Sequence, residues 1–411
     1  MTGTLVVGAG PAGLAVTLAL RCRGLDHGLR AVDPAGRWMA AWHRRFAAQD
    51  ISTLRSPAVH HPHPDPFAML AGGPEGLLRS GGTQLPTRAR FAAFCEQVIA
   101  EAELDDAVEA ATVTGLHVTP DGRARVTLDT GERLRPDRLV LATNARRRVA
   151  PPAFAWLTDD PRVRHAEEVH VDDTPPGGRV LVVGGGLSAA HLAVGAARRG
   201  AEVTLLTRRR LTVRRFDVHP SWLGPKKRRP FERQPDPSVR RREIDRARGG
   251  GSVPARMRRE IDRCLEAGSL HLLERSRVDA ALPDGPRLRM RIDGTETSFD
   301  QVWLATGGRL DVTADPLCAP LVARDSTPVV DGLPELDPDL CWPGTRVHLA
   351  GFAAALRLGP TAGNLVGHRR AALRIAAGHE GTDPDRADRL STGAEACPGG
   401  TDPEPVRGPA R

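Results

Sequence analysis

Two stretches of this chain are near copies of one another, and together they decide most of its architecture. Residues 4–20, TLVVGAGPAGLAVTLAL, run from an apolar strand through a glycine turn into a helix. Residues 178–200, GRVLVVGGGLSAAHLAVGAARRG, repeat the design. In the first copy Gly8 permits the tight turn, Gly10 lets backbone approach a pyrophosphate, and Gly13 lets helix and strand pack closely. Helix N-terminal amides after such a turn face anionic charge. The second copy is Gly184-x-Gly186-x-x-Ala189, with alanine in the third position.

A second pair of echoes follows the first. RLRPDRLVLATN (133–144) and TSFDQVWLATGG (297–308) each end a strand in an Ala-Thr turn. The chain is thus an internal repeat of two nucleotide-binding units. Strands alternating with helices predict an α/β fold with two Rossmann-like dinucleotide-binding domains built on parallel, doubly wound sheets. Residues 345–376 read as another strand–turn–helix, so the first domain resumes after the second. The expected boundaries are 1–149 and 301–380 for the first domain and 150–300 for the inserted second one. The polar, Gly-, Pro- and Asp-rich segment 381–411 is expected to be a disordered tail.

The units differ where the next strand ends. In RAVDPAGRW the strand stops on Asp33, twenty-five residues after Gly8, where a carboxylate can accept both ribose hydroxyls. In VTLLTRRR the equivalent place, twenty-four residues after Gly184, is Arg208. A guanidinium there attracts a 2′-phosphate that a carboxylate would repel. The pair therefore predicts FAD in the first unit and NADPH in the second. The expected NADPH contacts are Gly184, Gly186, Leu187, Ser188, Ala189, Thr207, Arg208, Arg209, Thr306 and Gly307.

Composition narrows the class. The 411 residues are 40% apolar and 26% charged, as in an ordinary globular protein, with no apolar run long enough to cross a membrane. The start, MTGTLVVGAG, reads as no signal peptide. Six scattered cysteines without a CxxC suit a reducing cytoplasm and oppose a dithiol redox centre. The net charge of +8 is concentrated at 208–248, which holds fifteen Lys/Arg against five Asp/Glu. Without interleaved aromatics this block predicts a solvated surface rather than a nucleic-acid or membrane contact. Trp222 within it is expected as a lid element, and His191 as a packed residue. HHPHPDP (60–66) puts three histidines in a proline-enforced loop, read as structure or substrate pocket, with no metal assigned.

The paired fingerprints, the LATN and LATGG strand ends and GRW after Asp33 resemble the two-dinucleotide-domain flavoprotein monooxygenases. These include the N-hydroxylating lysine and ornithine enzymes, the flavin-containing monooxygenases and the Baeyer–Villiger enzymes. The Baeyer–Villiger signature is absent, only His165 being alignable, and Gly351-Phe352 stands where such chains carry Gly-Asp. The resemblance implies FAD contacts from Gly8, Gly10, Pro11, Ala12, Gly13, Asp33, Gly36, Arg37, Trp38 and Gly351. The turn Gly359, Pro360, Thr361 and Asn364 before a helix adds flavin neighbours, with Arg55, Gln49 and Asn364 as catalytic candidates. It implies an NADPH-dependent FAD monooxygenase acting on an amino acid or small amine through a C4a-peroxyflavin, with O2 and a small-molecule substrate as its partners. A flavin oxidoreductase serving an external acceptor and a non-catalytic redox sensor or scaffold stay open as alternatives. So does a homo-oligomer.

Overall fold

The computed structural model describes residues 3–143 and 147–390. Asn144 of the LATN turn, Cys397 and most of the expected tail lie outside the described residues. Ten strands build two parallel sheets: β1 (Thr4–Val7), β2 (Arg30–Asp33), β3 (Val108–Ala110), β4 (Arg138–Leu141), β5 (Val163–His165), β6 (Arg179–Val183), β7 (Glu202–Thr207), β8 (Leu270–Glu274), β9 (Gln301–Leu304) and β10 (Val347–Leu349). The first sheet has the order β10-β4-β1-β2-β3 and the second β5-β9-β6-β7-β8. β1 is buried throughout and β6 from Val180 to Val183, as expected of strands covered on both faces.

The repeat is structural as well as sequential. Val7 pairs with Leu141 in the first sheet as Val183 pairs with Leu304 in the second. Each unit also carries a three-stranded antiparallel meander before its Ala-Thr strand, residues 113–134 in one and 278–299 in the other. The copies differ in where the fifth strand comes from. β10 arrives at the first sheet from the C-terminal end of the chain, whereas β5 joins the second sheet from just before its own glycine turn. β9 lies wholly in the second sheet, so the expected boundary at 300 moves past Leu304.

Five helices matter below: α1 (Pro11–Arg21), α2 (Leu187–Arg198), α3 (Pro225–Arg233), α4 (Pro237–Arg248) and α5 (Leu365–Glu380). α1 and α2 start at the two glycine turns, and α5 packs along α1. α3 and α4 carry the basic block, inserted between β7 and β8, and here the reading as solvated surface is corrected. Val218, Trp222, Phe231 and Ile244 are buried in the core of the first unit. Arg240 is 3% exposed and donates to Leu356 O at 3.0 Å, while Arg370 donates to Leu358 O at 3.2 Å. These carbonyls close the short helix Ala355–Leu358, whose last turn has no intrahelical donors for them. Arg240 is therefore mortar between the insertion and the first unit, and Arg370, on α5 of the first unit, reaches back to the insertion at Glu232, 3.5 Å away. The tail expectation also changes at its start, because Pro384–Leu390 is a helix whose Asp385 lies 2.6 Å from Arg374.

Candidate functional site

The first turn is shaped for close backbone approach. Gly8 takes φ +101° against the Ala142 carbonyl, and a methyl group on Gly13 would stand 1.9 Å from the Gly8 oxygen. A methyl on Gly10 would meet nothing within 4 Å, so the front of the turn is open. Asp33 accepts the amides of Ala9 at 3.0 Å and Ala35 at 2.9 Å. The following segment is tied back to the turn by Met39 N donating to Ala9 O at 2.7 Å. Trp38 sits in the core with Nε1 on Leu104 O at 2.9 Å, and Arg37 is exposed. Gly36 at φ +60° presses on Ala110.

At the same carboxyl edge of this sheet, where β1, β4 and β10 end level at Val7, Leu141 and Leu349, Gly351 (φ +76°) leads from β10 toward the turn before α5. Gly359 has φ +80° and ψ −170°, a conformation reserved for glycine. Pro360 and Thr361 are buried, and Asn364 occupies the N-cap of α5 without a side-chain capping bond. Arg248, the last residue of α4, donates to Pro360 O at 2.9 Å and lies 5.0 Å above the Phe352 ring.

The second turn repeats the first. A methyl on Gly184 (φ +152°) would lie 2.3 Å from Ala305 O, the counterpart of Ala142. Gly186 caps α2, which continues through Leu187, Ser188 and the buried Ala189. Thr207 is buried at the end of β7, and Arg208 is exposed with no hydrogen bond or ion pair among the described residues. Arg209 donates to Gly249 O at 3.0 Å. Thr306 donates to Val149 O, and Gly307 O lies 3.1 Å from His165 Nε2.

Two catalytic candidates, Gln49 at the end of the helix Ala40–Ala48 and Arg55 shortly after it, are bonded elsewhere. Arg55 donates to the carbonyls of Arg214 (2.9 Å), Arg215 (3.0 Å) and Ser252 (3.1 Å) and to Ser252 Oγ (3.0 Å). Gln49 is 1% exposed and donates to Ala166 O at 3.0 Å. Both residues fasten the first unit to the second rather than presenting free donors. Arg256 assists by donating to Thr53 Oγ1 at 2.6 Å, a contact no sequence pattern announced. In the histidine loop, His61 is fully buried against Phe94, and burial pushes its pKa down to about 3. Among the described residues no group of three His, Cys, Asp or Glu is placed to hold a metal.

Residues 2–221 match the sequence profile of the pyridine nucleotide-disulphide oxidoreductases, a span that holds both glycine turns. The chain belongs to that family. This oxidoreductase has no curated sequence that matches it. Its fold is that of the two-domain flavin monooxygenases. The ornithine hydroxylase of Pseudomonas aeruginosa superposes with a TM-score of 0.72 at 18% identity, over 92% of this chain and 99% of that one. The ornithine N-hydroxylase of Kutzneria sp. 744, solved with reduced FAD, NADP+ and L-ornithine, gives 0.73 at 17% identity, over 92% and 98%. The L-lysine 6-monooxygenase of Pseudomonas syringae gives 0.69 at 20%, over 94% and 100%. Unlike a dithiol enzyme, this oxidoreductase has no adjacent cysteine pair, and burial pushes the Cys95 and Cys318 thiols up and that of Cys341 up to about 12.

Proposed function

We propose that this chain is an NADPH-dependent FAD monooxygenase that hydroxylates nitrogen on an amino acid or small amine. The observation that carries the proposal is the difference between two equivalent strand ends, Asp33 at one and at the other Arg208, exposed and without a hydrogen bond or ion pair among the described residues. The first turn fits FAD: its front is open at Gly10, and the Asp33 carboxylate sits beside it. Bound there, FAD supplies the redox chemistry and the activation of oxygen. The chain's own part is to hold and orient. Amides after Gly10 bind the pyrophosphate and Asp33 accepts the ribose hydroxyls. The turn Gly359–Asn364 aims the first amides of α5 at the flavin, where they favour negative charge.

In the second unit Gly184–Ala189 holds the pyrophosphate of NADPH and Arg208 binds its 2′-phosphate. Support for N-hydroxylation comes from the three neighbours above, named an ornithine hydroxylase, an ornithine N-hydroxylase and an L-lysine 6-monooxygenase, while the missing CxxC opposes a dithiol reductase. The test is to supply the FAD-loaded protein with NADPH, oxygen and a panel of amino acids and diamines, and to weigh the products. A product heavier by one oxygen, formed in step with NADPH consumed, is expected. NADPH consumed to hydrogen peroxide across the whole panel contradicts oxygenation and favours an external-acceptor reductase. No NADPH oxidation contradicts any enzymatic reading.

A further inference from the structure

One short segment touches both cofactor turns. It begins at Arg248, which holds Pro360 O on the flavin side, and continues through Gly249, Gly250 and Gly251 to Ser252. Gly251 lies directly on the second glycine turn. A methyl on it would stand 2.6 Å from the Gly186 Cα and 2.7 Å from the Gly186 nitrogen. That nitrogen belongs to the glycine whose bareness lets a pyrophosphate approach. The peptide therefore lies against the glycine at which a pyrophosphate would approach, in a turn that is itself half-buried.

The segment is held there by specific bonds. Val253 N donates to Thr212 O and Arg214 N to Val253 O, both at 2.9 Å. Arg55 grips Ser252 through its carbonyl and its hydroxyl. Arg209 donates to Gly249 O at 3.0 Å and lies so close over Gly250 that a methyl there would come 1.7 Å from its Nη2. Arg208, one residue earlier, is exposed and makes no such bond.

We propose that Gly249–Ser252 is a strap closed over the pyrophosphate turn, latched by Arg209 and released by the 2′-phosphate of NADPH. The inference rests on NADPH binding at the second turn. The physical reason for release is the exchange of partners at Arg209. A phosphate dianion is a stronger acceptor for a guanidinium than a peptide carbonyl. Its arrival beside Arg208 draws Arg209 from Gly249 O, and the freed strap uncovers Gly186. NADH has no group to make that exchange, so it meets the closed strap. Three glycines in a row suit such a role: Gly249 and Gly250 take φ +57° and +88°, and the absence of side chains lets Gly251 lie flat on Gly186.

Hydrogen–deuterium exchange of the wild-type protein with NADP+ or NAD+, together with binding to two variants, tests this. NADP+ is expected to protect the amides of 186–189 while speeding exchange at Arg214 and Val253; NAD+ at equal concentration leaves those two slow. Gly251→Ala wedges the strap off Gly186. If the open form is on the order of a tenth populated, the variant binds both nucleotides on the order of tenfold more tightly. Arg209→Ala removes the latch and tightens NAD+ binding, whereas a residue that merely contacts phosphate leaves NAD+ unchanged. NADP+ binding with protection at Val253, or with weaker affinity in Gly251→Ala, overturns the strap and leaves the cofactor assignment standing. Failure of wild type and both variants to bind NADP+ overturns the assignment, and the strap falls with it.

Discussion

The carboxylate of Asp33 receives the amide of Ala9 at 3.0 Å, so the second strand of the first unit ends by bracing the glycine turn of the first strand. Its other oxygen holds Ala35 N. The residue proposed to accept the ribose hydroxyls thus also braces the glycine turn proposed to hold the pyrophosphate.

Asp33→Asn keeps the size and loses the charge. FAD affinity is expected to fall by on the order of tenfold or more, since a hydrogen bond to a charged group contributes about 1.5–3 kcal/mol. NADP+ affinity stays as in wild type. Flavin titration of the apoprotein, paired with NADP+ titration, checks both halves.

The third fingerprint position separates the copies energetically. Gly13→Ala puts a methyl 1.9 Å from the Gly8 oxygen, and overpacking of this kind costs about 1–3 kcal/mol. The second unit already tolerates Ala189, so Ala189→Gly costs only about 0.5–1 kcal/mol through chain entropy. Denaturant midpoints of the two variants compare them directly.

What the sequence made legible was local: strand, turn and helix patterns have short-range causes, and so both parallel sheets and both turns follow from residues near 8 and 184. The identity of Asp33 and Arg208 is legible for the same reason, because register in a repeated unit carries one residue onto the other. Long-range partners are not legible. Arg240 and Arg242 look alike in a basic helix, yet one is buried on Leu356 O and the other exposed. Arg55 and Gln49 are polar residues with no local partner, and nothing in the sequence around them says that their donors are taken by 214–215, 252 and Ala166. The run Gly249–Gly251 was the one visible sign of the strap.

The same arginines give a graded test of burial. Arg240→Ala strands Glu335 and the Leu356 carbonyl, and removing one member of a buried pair costs about 3–5 kcal/mol. With Glu335 partly exposed, the low end is expected. Arg242→Ala stays within about 0.5 kcal/mol of wild type. Urea melts of the two variants, with the same change in charge, isolate the effect of position.

Acid lability should follow four histidines, His61 fully buried and His60, His191 and His379 partly so. Burial, with Arg369 beside them, pushes His60 down to about 4 and His61 to about 3. Burial lowers His191 to about 4 and His379 to about 3. The unfolded chain binds these protons near pH 6.5 and the folded one only below about 4, so stability is full above 6.5 and declines as pH falls from there toward 3. His61→Phe flattens that decline in pH-dependent urea melts. An unchanged slope contradicts the buried neutral state of His61.

If two copies of one turn are told apart by Asp33 and Arg208, the difference must show in steady-state kinetics of Arg208→Ala with NADPH and NADH. The expected result is a KM for NADPH raised by on the order of ten- to a hundredfold with that for NADH nearly unchanged, the loss of one charge-assisted phosphate contact. Equal changes for the two nucleotides, or none for either, would contradict it.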